Sequence, residues 1–334
     1  GDVHYWEVWH GNKPFSEYRK YFFRYASEFG FQSFPSVKTL ETVTDDPKEL
    51  NPFSYVMEKH QRNYGGNGKI AKYMQAAYRY PENFSDFVYA SQLLQADGIR
   101  YGVEHYRRNR GRCMGAIYWQ LNDCWPVISW SSIDYYGRWK ALHYYAKRFF
   151  APVMLSCEEQ SWMTVEADMN RQHFEFEKSI RLNVTNETLD AHRVLVKWAV
   201  RKTDATILRE EEQWLEVPAL SAVWMDKVEL PQIDCFNEYV SYEAWENDQI
   251  ISQGTVIFSY PKYFHYLNPG LAVRVDGDEI VVKAEAYAKS VEIRNENDDL
   301  ILEDNYFDMN AGEYRVKILD GKPDGLKVRS VYDI

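Results

Sequence analysis

Cysteine is scarce in this chain, basic residues are outnumbered, and long apolar runs are missing. Four of the 334 residues are cysteine: Cys113, Cys124, Cys157 and Cys235. They lie far apart with no CxxC spacing, which argues against a disulfide framework or a zinc site and makes reduced, mostly buried thiols the expectation. Lys and Arg number 39 against 50 Asp and Glu, a formal net charge of −11. That balance argues against a nucleic-acid partner, whose phosphates need clustered Lys and Arg. It argues equally against a surface built for anionic lipid. No run approaches the roughly 20 apolar residues of a membrane helix, so no membrane partner is expected. Gly65-Gly66-Asn67-Gly68 lacks the Gly-Lys-Ser/Thr ending of a phosphate loop. Eight scattered His without an HxxxH pair make a metal unexpected, and no cofactor is expected either. The chain starts at Gly1 with no Met and no signal-like segment. This reads as a boundary within a longer protein and leaves the compartment open, with the cytoplasm slightly favoured.

Aromatic residues, by contrast, are abundant: 11 Trp, 26 Tyr and 17 Phe, or 16% of the chain. Such rings build large cores, which is the ordinary reading, and they also stack on the C–H faces of sugars.

The texture of the sequence changes near residue 150. Before it, Asn83 to Arg108 carries Phe87, Ala90, Leu94 and Tyr101 at helical spacings. Acidic Asp86 opens that stretch and Arg107 and Arg108 close it, which suits the helix dipole. Pro47 to Arg62, Gly68 to Tyr80 and Trp139 to Phe150 also read as helices. Short apolar runs at Arg24 to Phe29 and Cys113 to Leu121 read as strands leading through loops into helices, the pattern of a parallel α/β unit. Catalytic groups in such folds sit at the C-terminal strand ends. Here those ends carry Glu28 and the stretch Trp119 to Asp123. After residue 151 the pattern alternates. Met163 to Asp168, Ser179 to Asn186, Arg193 to Lys202, Tyr239 to Glu246 and Ile250 to Phe258 read as strands of a sandwich. A second β-rich block follows Tyr260-Pro261, with Ala272 to Val275 and Glu279 to Ala286 joined by a hairpin turn at Gly277. Arg315 to Leu319 and Leu326 to Ser330 close it.

Glu28 is the sharpest candidate. A carboxylate held at a strand end among aromatic residues can attack an anomeric carbon, because oxocarbenium charge develops opposite it. The bland alternative is a salt-bridged or surface Glu. The words around it favour the first reading. Ser27-Glu28-Phe29-Gly30-Phe31-Gln32-Ser33-Phe34-Pro35 resembles the nucleophile segment of β-mannosidases of glycoside hydrolase family 2. His4-Tyr5-Trp6-Glu7-Val8-Trp9-His10-Gly11 resembles the aromatic approach to that strand. Tyr118-Trp119-Gln120-Leu121-Asn122-Asp123-Cys124-Trp125-Pro126, with Ser129-Trp130-Ser131 and Asp134, resembles the last barrel strand and its loop. Ser259-Tyr260-Pro261-Lys262 and Asp304-Asn305-Tyr306-Phe307-Asp308 resemble the family's C-terminal module. The resemblance spans essentially the whole chain, in order.

The resemblance implies an α/β plus all-β protein: the C-terminal part of a (β/α)8 TIM barrel over 1–151, then immunoglobulin-like β-sandwich domains over 152–260 and 261–334. It implies a retaining exo-β-mannosidase that removes terminal non-reducing β-D-mannose. Glu28 would be the catalytic nucleophile and Trp119 an apolar wall for the sugar, so Glu28 should face a sugar-sized hollow beside Trp119. His10 and Trp9 would face substrate near the nucleophile. Asn122 and Asp123 would orient sugar hydroxyls or, on the plainer reading, brace a loop holding buried Trp. Partners would be a β-mannoside glycan and the N-terminal remainder of the same enzyme.

One departure follows. A retaining mechanism needs a second carboxylic acid about 5–5.5 Å from the first, and the family supplies it as the Glu of an Asn-Glu pair on an earlier strand. Here such pairs occur at Asn186-Glu187, Asn237-Glu238 and Asn295-Glu296, all in the β-rich half. Glu7 lies between two Trp but does not match the motif. The proton donor is therefore expected upstream, and the isolated chain is expected to be inactive. Two rivals remain. One is a family 2 β-galactosidase or β-glucuronidase specificity, against which the Phe29 to Pro35 run speaks. The other is a non-catalytic carbohydrate-binding or assembly module.

Overall fold

The computed structural model describes residues 1–165 and 175–334. Its first region contains two short strands, β1 (Val3–His4) and β2 (Ala26–Glu28), which pair in parallel. Backbone bonds extend this pairing on both sides of β2. Val3 N donates to Tyr25 O and Tyr5 N to Glu28 O. Across the other edge Met114 N donates to Arg24 O, Ile117 N to Ala26 O and Trp119 N to Phe29 O. Segment 24–29 is thus the central line of a parallel set, and Glu28 stands at its C-terminal end. Cys113 to Leu121 follows that line but is not a continuous strand. It pairs through the isolated bridge Ala26↔Ala116 and single backbone bonds.

Helices α1 (Val37–Leu40), α2 (Tyr55–Lys59), α3 (Gly66–Ala77), α4 (Phe84–Arg108) and α5 (Ala141–Phe149) surround these segments. The expected helix at Pro47 to Arg62 is broken into a 3-10 turn at Pro47–Glu49 and the short α2. Pro52 disfavours helical backbone at Asn51, and Ser54 then restarts the helix as an N-cap, accepting from Met57 N. The long helix appears as read, with Asn83 capping it by accepting from Asp86 N.

Two all-β regions follow. The first is a sandwich. One layer comprises β3 (Val153–Gln160), β4 (Ser179–Asn186), β7 (Ser221–Trp224) and the short β8 (Val228–Glu229). The other has the order β10-β9-β5-β6, where β5 is His192–Lys202, β6 Ile207–Val217, β9 Glu238–Glu246 and β10 Gln249–Ile257. Their inward faces (Leu182, Val184, Val194, Val196, Trp198, Val240, Ala244) make one apolar core. The strand expected at Met163 to Asp168 is instead a 3-10 turn over Trp162–Thr164, capped by Ser161. Residues 166–168 of that stretch lie outside the described residues.

The second region orders as β11-β12-β16-β14 beside β15-β13-β17. Here β11 is Ala272–Asp276, β12 Glu279–Ala284, β13 Ala288–Arg294, β14 Ile301–Leu302, β15 Phe307–Met309, β16 Gly312–Asp320 and β17 Lys327–Arg329. Gly277 takes φ +65° in the β11–β12 turn, a conformation that favours glycine there. The core of this region does not stand alone. Ile280, Val291, Leu302 and Tyr306 belong to the same apolar cluster as Phe29, Phe34, Tyr89 and Leu93 of the helical region. The last 70 or so residues therefore fold back onto α4 and α5. Tyr89 donates to Ser290 O at 2.6 Å, and Arg148 reaches Asp304 and the carbonyl of Asn305.

Of the four cysteines, all free, Cys113 and Cys157 are buried, Cys235 is half-buried and Cys124 is exposed.

The helical region carries a built-in acid sensitivity. His105 is buried, one ring nitrogen lying 2.8 Å from Tyr21 O, and burial with the nearby Arg108 pushes it down to about 4. Below pH 6.5 the unfolded chain therefore takes up a proton that the fold refuses, and stability falls with pH until about 4. The full swing is about 3 kcal/mol. Thermal melts should drop steadily from pH 7 to pH 4.5, and His105→Gln should flatten that slope. An unchanged slope in the variant would remove His105 as its source.

Candidate functional site

Glu28 is partly buried, with 24% of its side chain exposed. Its Oε1 accepts a 2.9 Å hydrogen bond from Trp6 Nε1 and lies 3.6 Å from His4 Nδ1. Both polar contacts fall on the same carboxylate oxygen. The Trp6 ring also meets Trp130 edge-on, with centroids 6.1 Å apart, and stands 5.2 Å from the His10 ring. Gly30, two residues past Glu28, lets these parts close up. A Cβ there would come within 2.4 Å of Trp119 O and 2.9 Å of the Trp6 ring.

Beside this cluster a groove of about 470 Å³ is lined by Trp119, Asn122, Asp123, Trp125 and Trp130, with Arg62 at its edge. It gathers Trp119, Asn122 and Asp123 as the sequence suggested. Glu28 is not part of its lining, and contact between the carboxylate and the groove runs through Trp6 and Trp130. Trp119 is exposed and follows the Glu28 strand, donating its backbone N–H to Phe29 O. The Trp119–Gln120 peptide is cis.

The remaining candidates separate. Trp9 departs from the expectation, since it is fully buried, edge-on to Phe31 and Trp130, and offers no surface to a sugar. Its position is explained by core packing beneath the site, where its carbonyl accepts from Lys69 Nζ at 2.6 Å. His10 is largely exposed, and the partial desolvation of its ring together with Lys69 holds its pKa below the ordinary value. Asp123 uses its oxygens within the loop, accepting from Ser129 Oγ at 2.9 Å, Ser131 Oγ at 2.5 Å and Gln120 Nε2 at 3.1 Å. Asn122 is exposed on the groove wall. Trp125 is stacked on His60 at 4.9 Å, with the Arg62 guanidinium 4.9 Å from its centroid.

Trp6 and Trp130 were not singled out as site residues from the sequence. The available signal was their place within the same two aromatic words as Trp9 and Trp119. The Asn-Glu pairs stay in the β regions: Glu187 pairs with Arg110, and Glu238 accepts from Asp234 N. Glu7 is exposed and folds over Gly11. Among the described residues no group of three His, Cys, Asp or Glu is placed to hold a metal.

Comparison with known proteins gives this arrangement relatives. A beta-mannosidase B of Thermothelomyces thermophilus is 30% identical over 361 residues, covering 99% of this chain and 41% of that protein. The crystal structure of a β-D-mannosidase from Dictyoglomus thermophilum superposes with a TM-score of 0.84 at 27% identity, covering 99% of this chain and 40% of that one. Over nearly its whole length the chain is similar to these β-mannosidases. Residues 178–263 match the family described as Mannosidase Ig/CBM-like domain, and 266–334 match an Ig-fold domain. A beta-mannosidase of Capra hircus is 36% identical over 167 residues, 46% of this chain. The chain thus spans about two fifths of the length of these first β-mannosidase relatives.

Proposed function

We propose that the chain is the C-terminal part of a retaining exo-β-mannosidase and carries its nucleophile, Glu28. On this reading residues 1–151 complete a TIM barrel begun upstream, and 152–260 and 261–334 are immunoglobulin-like domains. The observation that carries it is the placement of Glu28 at the end of the central parallel segment, with Trp6 N–H on one carboxylate oxygen and the Trp119 groove alongside. The carboxylate would attack the anomeric carbon and form a mannosyl ester, expelling the leaving-group oxygen. Water would then cleave the ester with retention of configuration. Trp119 would form the apolar wall under the sugar, and Asn122 with His10 would meet its hydroxyls.

The partner on this reading is the N-terminal remainder. Tyr25, Met114, Ile117 and Leu121 line the parallel set and are exposed. An uncovered apolar strip beside open strand edges is what a continuing sheet would bury. It would also bring the proton donor and close the hollow in front of Glu28. Treating the full-length protein with 2-deoxy-2-fluoro-β-mannosyl fluoride should label Glu28, as read by peptide mass. A label on another carboxylate would overturn the assignment. The chain by itself should show no measurable turnover of 4-nitrophenyl β-mannoside, and turnover matching the full-length protein would refute the need for an upstream donor.

A further inference from the structure

We propose that Lys140 is a positioning residue for this site, its ammonium clamping together the two backbone segments that lead on from Glu28 and from Trp119. The inference rests on Glu28 being the nucleophile. Segment 24–29 runs on to Ser33, and the segment after Trp119 runs on to Ser129. There the two meet: Ser33 N donates to Ser129 O at 3.0 Å and Ser129 N to Ser33 O at 3.4 Å. Lys140 is 1% exposed and reaches this junction from beneath. Its Nζ donates to Ser33 O and Ser33 Oγ, each at 3.2 Å, and to Ser129 O at 3.4 Å.

Three acceptors match the three protons of an ammonium. A neutral amine has two protons and a lone pair, so one oxygen would lose its donor and face that lone pair. The flanking groups depend on the same junction. Ser129 Oγ donates to Asp123 on the groove wall, and Trp130, which follows Ser129, touches Trp6, the donor to Glu28.

The location is otherwise a poor one for a cation. Lys140 is the N-cap of α5, where the helix dipole opposes positive charge, and among the described residues no ion pair within 4 Å is formed by it. The charged groups facing it are Asp123 and Asp134, both from the loop after Trp119. From α4 come the neutral amides of Gln92 and Gln95, which bond Ala141 N and Ser33 Oγ. Burial lowers the ammonium from 10.5 to about 8, with the two aspartates opposing the change.

This gives a signature that a merely structural lysine lacks. Between pH 8 and 10.5 the unfolded chain holds a proton that the fold has released, so this group makes the fold more stable as pH rises. The clamp, however, weakens over the same range. Activity and stability should therefore move in opposite directions.

The test uses the full-length protein and 2,4-dinitrophenyl β-mannoside, whose leaving group needs no proton donor, so the upstream acid does not shape the alkaline limb. For the unaltered protein kcat/KM should fall with a midpoint near pH 8, by about tenfold or more. Lys140→Arg should move that fall beyond about pH 10, because guanidinium stays charged. Lys140→Met should be lowered about tenfold at pH 7 and show no such limb. An Arg variant that keeps the fall near pH 8, or a Met variant with the original profile, would overturn the inference alone. Should Lys140→Met fail to fold, the Arg comparison decides. No turnover of any β-mannoside by the unaltered protein would remove the nucleophile reading and this one with it.

Discussion

Glu28→Gln in the full-length protein should cut kcat on β-mannosides by at least about 10⁴-fold, the scale seen when a covalent nucleophile is removed. The fold should be untouched, because the amide oxygen still accepts from Trp6 Nε1 and no ion pair shorter than the 3.6 Å approach of His4 is lost. Melting should agree with the unaltered protein within about 0.5 kcal/mol. Rescue separates a nucleophile from a bystander. In Glu28→Ala the vacated space would admit azide, which attacks the anomeric carbon of a dinitrophenyl β-mannoside and leaves an α-mannosyl azide. Recovery of that product fits Glu28 as the attacking group. A variant retaining a tenth of normal activity would end the proposal.

Glu159→Ala should be the most destabilising single change among those considered, by about 3–5 kcal/mol. Glu159 lies on β3 and is 2% exposed. Its Oε2 accepts from Arg19 Nη2 at 2.7 Å, its carbonyl from Arg19 Nη1 at 2.8 Å, and its Oε1 from Tyr101 OH. Burial alone would raise this carboxyl, but Arg19 and Tyr101 outweigh it and hold the pKa below the ordinary value. Truncation takes the carboxylate from Arg19, which keeps only its bond to the residue-159 carbonyl, and leaves the buried Tyr101 phenol without its acceptor. These contacts tie the helical region to the first sandwich, whose apolar core is separate from the cluster shared by the helices and the C-terminal strands. The variant should therefore lose cooperativity as well as stability, with chemical denaturation resolving into two steps. A single transition shifted by under about 1 kcal/mol would show that the two cores are coupled elsewhere.

Elements with a clear period or cap were legible in the sequence. The 25 residues of α4 follow Asn83 and its apolar stripe, and β4 coincides with Ser179 to Asn186. Other strands gave no such signal. β6 (ILREEEQWLEV) is exposed along most of its length, and its inward face is declared only by Leu215 and Val217 at one end. In β3 (VMLSCEEQ) burial is nearly continuous on both faces, so no alternation marks it. At the candidate site, Glu28 and Trp119 stood out in the sequence because strand-end logic and a family resemblance pointed to the same two residues. Trp9 could not be judged: a tryptophan that touches substrate and one packed beneath it look alike in sequence, and burial alone tells them apart. The links through Trp6 and Lys140 depend on contacts across 22 and 107 residues, which no local pattern encodes.

The return of the C-terminal strands onto α4 and α5 has a practical outcome for anyone rearranging this protein. Its final stretch is no detachable appendage. Trimming it would strip Tyr89, Tyr144 and their neighbours of their lid, so chimeras with related sequences must exchange that stretch and the two helices as one inherited piece.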